Sequence, residues 1–566
     1  MKKIIAIILS VTVLLSACIV GVSAASSDVD LAYAVASDLH YNIPDEELEW
    51  FSEDPIYGYA NRRAAMENES GLIIDEMLRQ VAENDNIEFL LVSGDLADNG
   101  RRLIEEHQAV AEKFKNFEET SGKQVYVIPG NHDYGLPGEY CVTGADEFKE
   151  IYADFGYDKA IVTDGLSYTA NLGDKYRLIA LDSNDPDKST EDGMNDHKVE
   201  WVIEQAQKAY DEGRYPILML HHNLLDHLPL QRILSHDFII RDHIATANKW
   251  ADAGIKLVFS GHEHCSDATT HTSPSGNTIS DFATTSLTMY PLQYRYIEMS
   301  DDTITYEAKT VDSIDTDALL ASVDGYSDEQ IAEMNKGLNA FAKQYLKNGV
   351  EYRLERGFQD EQLGIKPGDI YYTLVRDVVD TFNDVLNMPL YGEGSAQELA
   401  KEYNIDIPDS DYKDGWDVAT ELVSAHYAGS EDYPLYEKDV KILFLIMSLV
   451  IKSEFDYIDD QVFYQAAASV IAAQNIDSIS TILDMVSAEE EGVTAGEYLL
   501  VAVASPLLDS FANDDGVDDN YGAIDGYART DTSSNISTSL STTALDVANK
   551  FYIILRYLVK VLNLWM

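Results

Sequence analysis

Five short blocks gather the side chains that grip metal ions: Asp38-Leu39-His40, Gly94-Asp95-Leu96-Ala97-Asp98, Gly130-Asn131-His132-Asp133, His221-His222 and Gly261-His262-Glu263-His264. Imidazole suits zinc, iron or manganese, and carboxylate adds the charge that neutralises a cation. Two cations held close together can clasp the oxygens of a phosphate ester and lower the pKa of a water between them, giving a hydroxide nucleophile at neutral pH. Taken singly, each block also fits an ordinary loop, because Asp, Asn and Gly are turn residues. Their order and their placement argue for chemistry.

Each block directly follows a short apolar, β-branched run, at residues 31–37, 87–93, 124–128, 215–220 and 255–260, and a further such run covers 176–181. These runs read as buried strands, and 64–84, 101–119 and 197–211 read as the amphipathic helices between them. In a layered α/β fold the carboxyl ends of strands line one edge, so distant blocks converge on one crevice. The glycines before Asp95, Asn131 and His262 read as tight-turn residues. Three β-rich runs, 278–284, 293–299 and 303–310, are expected to continue the sheet antiparallel.

The five blocks together resemble the calcineurin-like metallophosphoesterase superfamily, whose pattern is Asp-x-His, Gly-Asp-x-x-Asp, Gly-Asn-His-Asp/Glu, a lone His and Gly-His-x-His. The resemblance spans residues 28–312 and implies an α/β fold, a layered αββα sandwich, followed here by a mostly helical C-terminal domain. It implies two divalent or trivalent metal ions, Fe, Mn or Zn. One would be held by Asp38, His40 and His264, the other by Asn131, His221 and His262, with Asp95 bridging. His132 would be the general acid, oriented and charge-stabilised by the carboxylate of Asp98. His221 is preferred over His222 because it is nearer the strand end. Asn99 stands where protein Ser/Thr phosphatases of the superfamily carry Arg, and Asp98 where purple acid phosphatases carry a ligand Tyr. The chain is more similar to cyclic-nucleotide phosphodiesterase-type and broad-specificity bacterial members. The alternative is a cell-surface binding or adaptor protein on the same scaffold, which would show a lost ligand or a lost acid.

The substrate side is less defined. Aromatics of the 41–61 insertion (Trp50, Phe51, Tyr57, Tyr59) and the loops 134–140 and 223–237 are candidate rim elements, serving either substrate stacking or local packing. Arg62, Arg63, Arg101 and Arg102 are either phosphate contacts or solvated charges. A small-molecule or lipid-headgroup phosphoester is the expected partner. A formal charge of −59 over 566 residues repels nucleic acid, which is excluded as a partner.

Residues 1–24, with Lys2-Lys3, an apolar stretch and Val22-Ser23-Ala24, read as a secretory signal. Leu15-Ser16-Ala17-Cys18 offers the alternative of lipid anchoring at the cell surface through Cys18. Cys141 and Cys265 are either one bridge or two free thiols. Beyond 312 the spacing turns helical through 328–348, 416–426, 438–452, 459–474 and 477–486, giving a domain at 313–529. The acidic stretch 513–519 lacks EF-hand spacing and reads as a solvated loop. A Ser/Thr-rich connector at 530–543 and an apolar helix at 544–566 complete the chain; the helix either packs or lies on a membrane surface.

Overall fold

Both faces of the first strand, β1 (Leu31–Ala36), are apolar: Leu31, Tyr33 and Val35 enter one core, Ala34 and Ala36 another. A strand with two apolar faces must be covered on both sides, which dictates a layered architecture. The computed structural model describes residues 29–43, 64–136, 141–184, 194–227, 231, 238–323, 325–363, 365–368, 372–398, 410–430 and 518–527. Outside them lie the signal segment with Cys18, the four named insertion aromatics, Arg62, Arg63, the helical stretches at 438–452, 459–474 and 477–486, the connector and the C-terminal apolar helix.

The first sheet has β1 parallel to β2 (Phe89–Val92), and β2 parallel to β3 (Gln124–Val127). On the other side of β1, β11 (Gln293–Met299), β12 (Thr303–Thr310) and β13 (Tyr521–Asp525) follow in antiparallel pairs, giving the order β13-β12-β11-β1-β2-β3. The second sheet contains β4 (Val162–Asp164), β5 (Ser167–Leu172), β6 (Tyr176–Ala180), β7 (Tyr215–Met219), β8 (Leu257–Ser260), β9 (Asp267–Thr272) and β10 (Thr278–Ala283). Its order is β4-β5-β6-β7-β8-β10-β9, with β6, β7, β8 and β10 parallel.

The two sheets face each other across a core of Tyr33, Leu91, Tyr168, Leu178, Met219 and Phe259, among others. Helices α1 (Ser70–Glu83) and α2 (Ile104–Ser121) cover the outer face of the first sheet through Ile74, Met77, Val110 and Phe114. After α3 (Ala145–Ile151), α4 (Asp196–Asp211) and α5 (His243–Asp252) cover the second sheet through Val202, Ala206 and Trp250. The result is the expected α/β/β/α layering.

Several expectations change. The runs at 278–284, 293–299 and 303–310 do not extend one sheet: β10 joins the second sheet parallel to β8, while β11 and β12 join the first beside β1. The helix expected from 64 begins at Ser70, because Ala64 has φ 58 and Met66 N–H bonds the Thr288 carbonyl at 2.7 Å. The single helix expected over 328–348 is two, α6 (Thr316–Ser322) being followed by α7 (Asp328–Lys336) and α8 (Leu338–Gly357), with the extended backbone of Gly337 between the latter pair. Further helices are α9 (Asp360–Leu363), α10 (Tyr372–Asn387) and α11 (Gly415–Tyr427).

The division at Asp312 also needs amending. The later half contributes β13 to the first sheet, and Tyr527 joins the core between the sheets. Asp519, expected in a solvated loop, is buried and accepts from Ala268 N–H at 2.8 Å. Among the described residues no helix is long and apolar enough to cross a membrane. Cys141 and Cys265 are not joined by a disulfide.

Candidate metal centre

Parallel strands deliver the five blocks to one place. Asp38, Asp95 and Asn131 come two to four residues after the ends of β1, β2 and β3, and His221 and His262 two residues after the ends of β7 and β8. Within the first sheet, Asp38 N–H bonds Gly94 O and His40 N–H bonds Asp95 O, both at 3.0 Å. Two bonds cross the sandwich: His221 Nδ1 to Ser93 O at 2.9 Å, and His262 N–H to Asp38 Oδ2 at 3.0 Å. The ligand loops of the two sheets are thereby locked to each other.

Two groups of ligand-capable side chains result, Asp38–His40–His264 and Asp95–His221–His262. In the first, His264 Nε2 lies 3.2 Å from both Asp38 Oδ1 and His40 Nε2. In the second, His221 Nε2 lies 3.0 Å from Asn131 Oδ1 and 3.4 Å from Asp95 Oδ2. Asp95 Oδ2 is also 3.7 Å from His40 Nε2, so the Asp95 carboxylate sits between the groups. Its other oxygen accepts from His132 N–H at 2.8 Å.

These donor sets fit cations. Asp38 Oδ1 is buried without a hydrogen-bond partner. His40 Nδ1 donates to Asp98 Oδ1 at 3.1 Å, which turns Nε2 toward Asp38, Asp95 and His264. Burial alone would lower the pKa of His221, but Asp95 and Asp38 outweigh it and hold the imidazole up at about 9. Buried carboxylates so close together call for a balancing positive charge.

The backbone here is strained. Among the described residues eight non-glycine residues have positive φ, and five are Asp38, His40, Asp95, His262 and His264. Each costs about 1–3 kcal/mol and persists only where its surroundings over-determine it. Each buried Leu, Val or Phe of the core between the sheets returns about 1.5–3 kcal/mol, so a few such side chains offset the strain.

The three glycines play two roles. Gly94 has φ +100, which the turn requires, whereas Gly130 and Gly261 are needed for space. A Cβ on Gly130 would collide with the Asp95 carboxylate, and one on Gly261 with Ser37 and Asp38. Gly261→Ala is expected to lower stability by about 1–3 kcal/mol and to reduce metal uptake. Urea unfolding and metal analysis check this; unchanged uptake would show that the Asp38 loop yields without harm.

Asp98 meets both His40 and His132. Its carboxylate takes His40 Nδ1, and its backbone carbonyl takes His132 Nδ1 at 2.8 Å. The turn after β2 aims the side chain toward β1. His132 also belongs to a third ligand-capable group with His40 and Asp95. His222 takes a different partner from His221: its Nδ1 pairs with Ser183 Oγ at 2.7 Å while its ring packs edge-on against His262, centroids 4.6 Å apart, and burial pushes its pKa down to about 3.

Other supporting residues carried little sequence signal. Asp133 ties the blocks after β2 and β3 by accepting from Leu96, Ala97 and Gly130 N–H groups, and only its place beside His132 hinted at a role. Phe238 stacks on His262 with ring centroids 4.1 Å apart, and Met289 Sδ lies 3.1 Å from His264 Nδ1. Tyr134, a candidate rim aromatic, is a core residue whose hydroxyl donates to Asp182 at 2.9 Å. The backbone N–H groups of Arg101 and Arg102 bond the carbonyls of His132 and Asn99.

The family model for calcineurin-like phosphoesterases matches residues 31–266, the segment that supplies every one of these ligand-capable side chains. Residues 31–266 belong to the calcineurin-like phosphoesterase family. A curated relative, the uncharacterised metallophosphoesterase YhaO of Bacillus subtilis (strain 168), is 28% identical over 156 residues, covering 27% of this chain and 36% of that protein. The match therefore spans about a third of the relative's length. Similar solved structures include a dimetal phosphatase from Danio rerio, with TM-score 0.37 and 11% identity, covering 50% of this chain and 97% of that one. Vacuolar Protein Sorting 29 from Cryptosporidium parvum is similar at TM-score 0.21 and 11% identity, covering 50% and 93%. In this phosphoesterase domain all seven side chains read as ligands from the sequence, Asp38, His40, Asp95, Asn131, His221, His262 and His264, come together.

Proposed function

We propose that this protein is a dinuclear-metal phosphoesterase that hydrolyses phosphomonoesters or phosphodiesters of small molecules or lipid headgroups. We place it outside the cell, either released after loss of residues 1–24 or anchored through Cys18. The observation that carries the reading is the pair of buried acceptor clusters, Asp38–His40–His264 and Asp95–His221–His262, with the Asp95 carboxylate between them.

Asp38, His40 and His264 would hold one ion, Asn131, His221 and His262 the other, and Asp95 both. Iron, manganese or zinc there would supply Lewis acidity toward phosphoryl oxygens and lower the pKa of water. The chain supplies position and protons. Asp98 fixes His40 through Nδ1, the Ser93 carbonyl fixes His221, and such partners hold each ring's remaining nitrogen on the ligand side. The Asp98 carbonyl holds His132 by Nδ1, and Nε2 would carry the proton to the leaving oxygen.

The test is reconstitution of the full chain with manganese, zinc or iron, followed by metal analysis and a panel of phosphomonoesters, cyclic nucleotides, glycerophosphodiesters and phospholipid headgroups. Two ions per chain and chelator-sensitive hydrolysis are expected. Free metal at 100 times Kd should also stabilise the fold by about 2.7 kcal/mol per site, reversed by chelator. A folded chain that takes up fewer than two ions, or takes up two and hydrolyses none of the panel, would overturn the proposal.

A further inference from the structure

The loop carrying His262 and His264 is held at its two ends by different parts of the chain. Before His264 its anchors belong to the phosphoesterase domain: Gly261 N–H bonds His221 O at 2.9 Å, and His262 N–H bonds Asp38 Oδ2. After His264 the C-terminal half adds anchors to those that Arg295, His227 and the β9–β10 pairing supply. Ser266 N–H bonds Tyr427 O at 3.1 Å, Ser266 Oγ donates to Asn520 Oδ1 at 3.2 Å, and Ala268 N–H donates to Asp519 Oδ1 at 2.8 Å.

Those anchors are themselves fixed. Asn520 Nδ2 donates to Ala428 O at 2.7 Å and Gly429 O at 2.8 Å, joining the end of α11 to the start of the β13 segment. Buried Arg295 donates to Asp519 O at 2.6 Å and to Ser266 Oγ and Asp267 O, each at 3.1 Å. The Tyr306 hydroxyl donates to Asp518 O at 2.6 Å, and β13 then pairs with β12.

His262 and His264 have φ 67 and 64, conformations that survive only when the chain on both sides is constrained. We infer that Asp519 and Asn520 are positioning residues for the metal-ligand loop, returned to the phosphoesterase domain from the far side of the C-terminal half. This rests on reading the site as a metal centre. The C-terminal half thus completes the centre, as a clamp on the His264 side of the loop.

The experiment uses the full chain, freed of metal and titrated with manganese by calorimetry, with thermal melting in parallel. Asp519→Ala leaves the buried Ala268 N–H without its acceptor and is expected to weaken manganese affinity about 10–100-fold, as loss of outer support does at other metal sites. Asp519→Asn keeps the acceptor oxygen and should stay within about threefold of wild type. Ile524→Ala, further along β13, should lower the melting temperature and leave affinity unchanged, which separates positioning from plain stability. Wild-type affinity in folded Asp519→Ala overturns the inference while leaving the metal centre standing. A folded wild-type chain that binds no manganese overturns both. Should Asp519→Ala fail to fold, Asn520→Ala is judged by the same criterion: at least tenfold weaker binding supports the clamp, and wild-type binding overturns it.

Discussion

Asp95→Asn is expected to disable both halves of the metal centre at once. The amide is isosteric and still accepts from His132 N–H, so the turn after β2 should stand. What is lost is the charge at the oxygen lying 3.7 Å from His40 Nε2 and 3.4 Å from His221 Nε2. An amide oxygen is a poor bridge between cations, and preorganised charge at a reacting centre is typically worth about 10²–10³ in rate. Metal content should fall from two ions per chain to one or none, with turnover down at least that far and melting behaviour close to that of metal-free wild type. Two ions retained at wild-type turnover would take Asp95 out of the bridge.

His132→Ala should separate chemistry from metal binding. Its Nδ1 is committed to the Asp98 carbonyl, and its neighbour Asn131 supplies the oxygen facing His221. General acid help is worth about 10²–10⁴-fold, most of it when the leaving alkoxide is strongly basic. The variant is expected to keep both ions, to lose about that factor on alkyl phosphate esters, and to lose far less on nitrophenyl esters, whose leaving group needs little protonation. Equal losses on the two ester types would assign His132 to phosphate binding. Loss of an ion would assign it to the third group, with His40 and Asp95.

The candidate site was legible because its five blocks share a local pattern, a short apolar run followed within a few residues by Asp, Asn or His. Strand burial fixes where such a run ends, so Asp38, Asp95 and His262 could be placed without knowing the sheet order. The partners of those ligands were not legible. Which acceptor Asp98 serves depends on a turn aiming its side chain at β1 rather than β3, and nothing in Gly-Asp-x-x-Asp encodes that choice. Sheet membership failed for the same reason: β10 and β11 both look like half-buried strands, and only non-local pairing sends one to each sheet. The strand β5, whose core residues Tyr168, Ala170 and Leu172 alternate with Ser167, Thr169 and Asn171, and the strand β9, of which only Asp267 and Ala268 are buried, hid because neither forms a continuous apolar run. Tyr521–Asp525 was hidden by its acidic surroundings.

The late pairing of β13 bears on how the chain is made. Tyr306 and the Asp518 carbonyl it bonds are 212 residues apart in sequence. At the usual pace of roughly 5–20 residues per second, synthesis of that interval takes on the order of 10–40 seconds. Through that time a nascent chain already carries every proposed ligand, yet β12 still presents an unpaired row of backbone N–H and C=O groups, the kind of edge on which neighbouring chains associate. The danger is greatest on crowded ribosomes, before the last strand arrives.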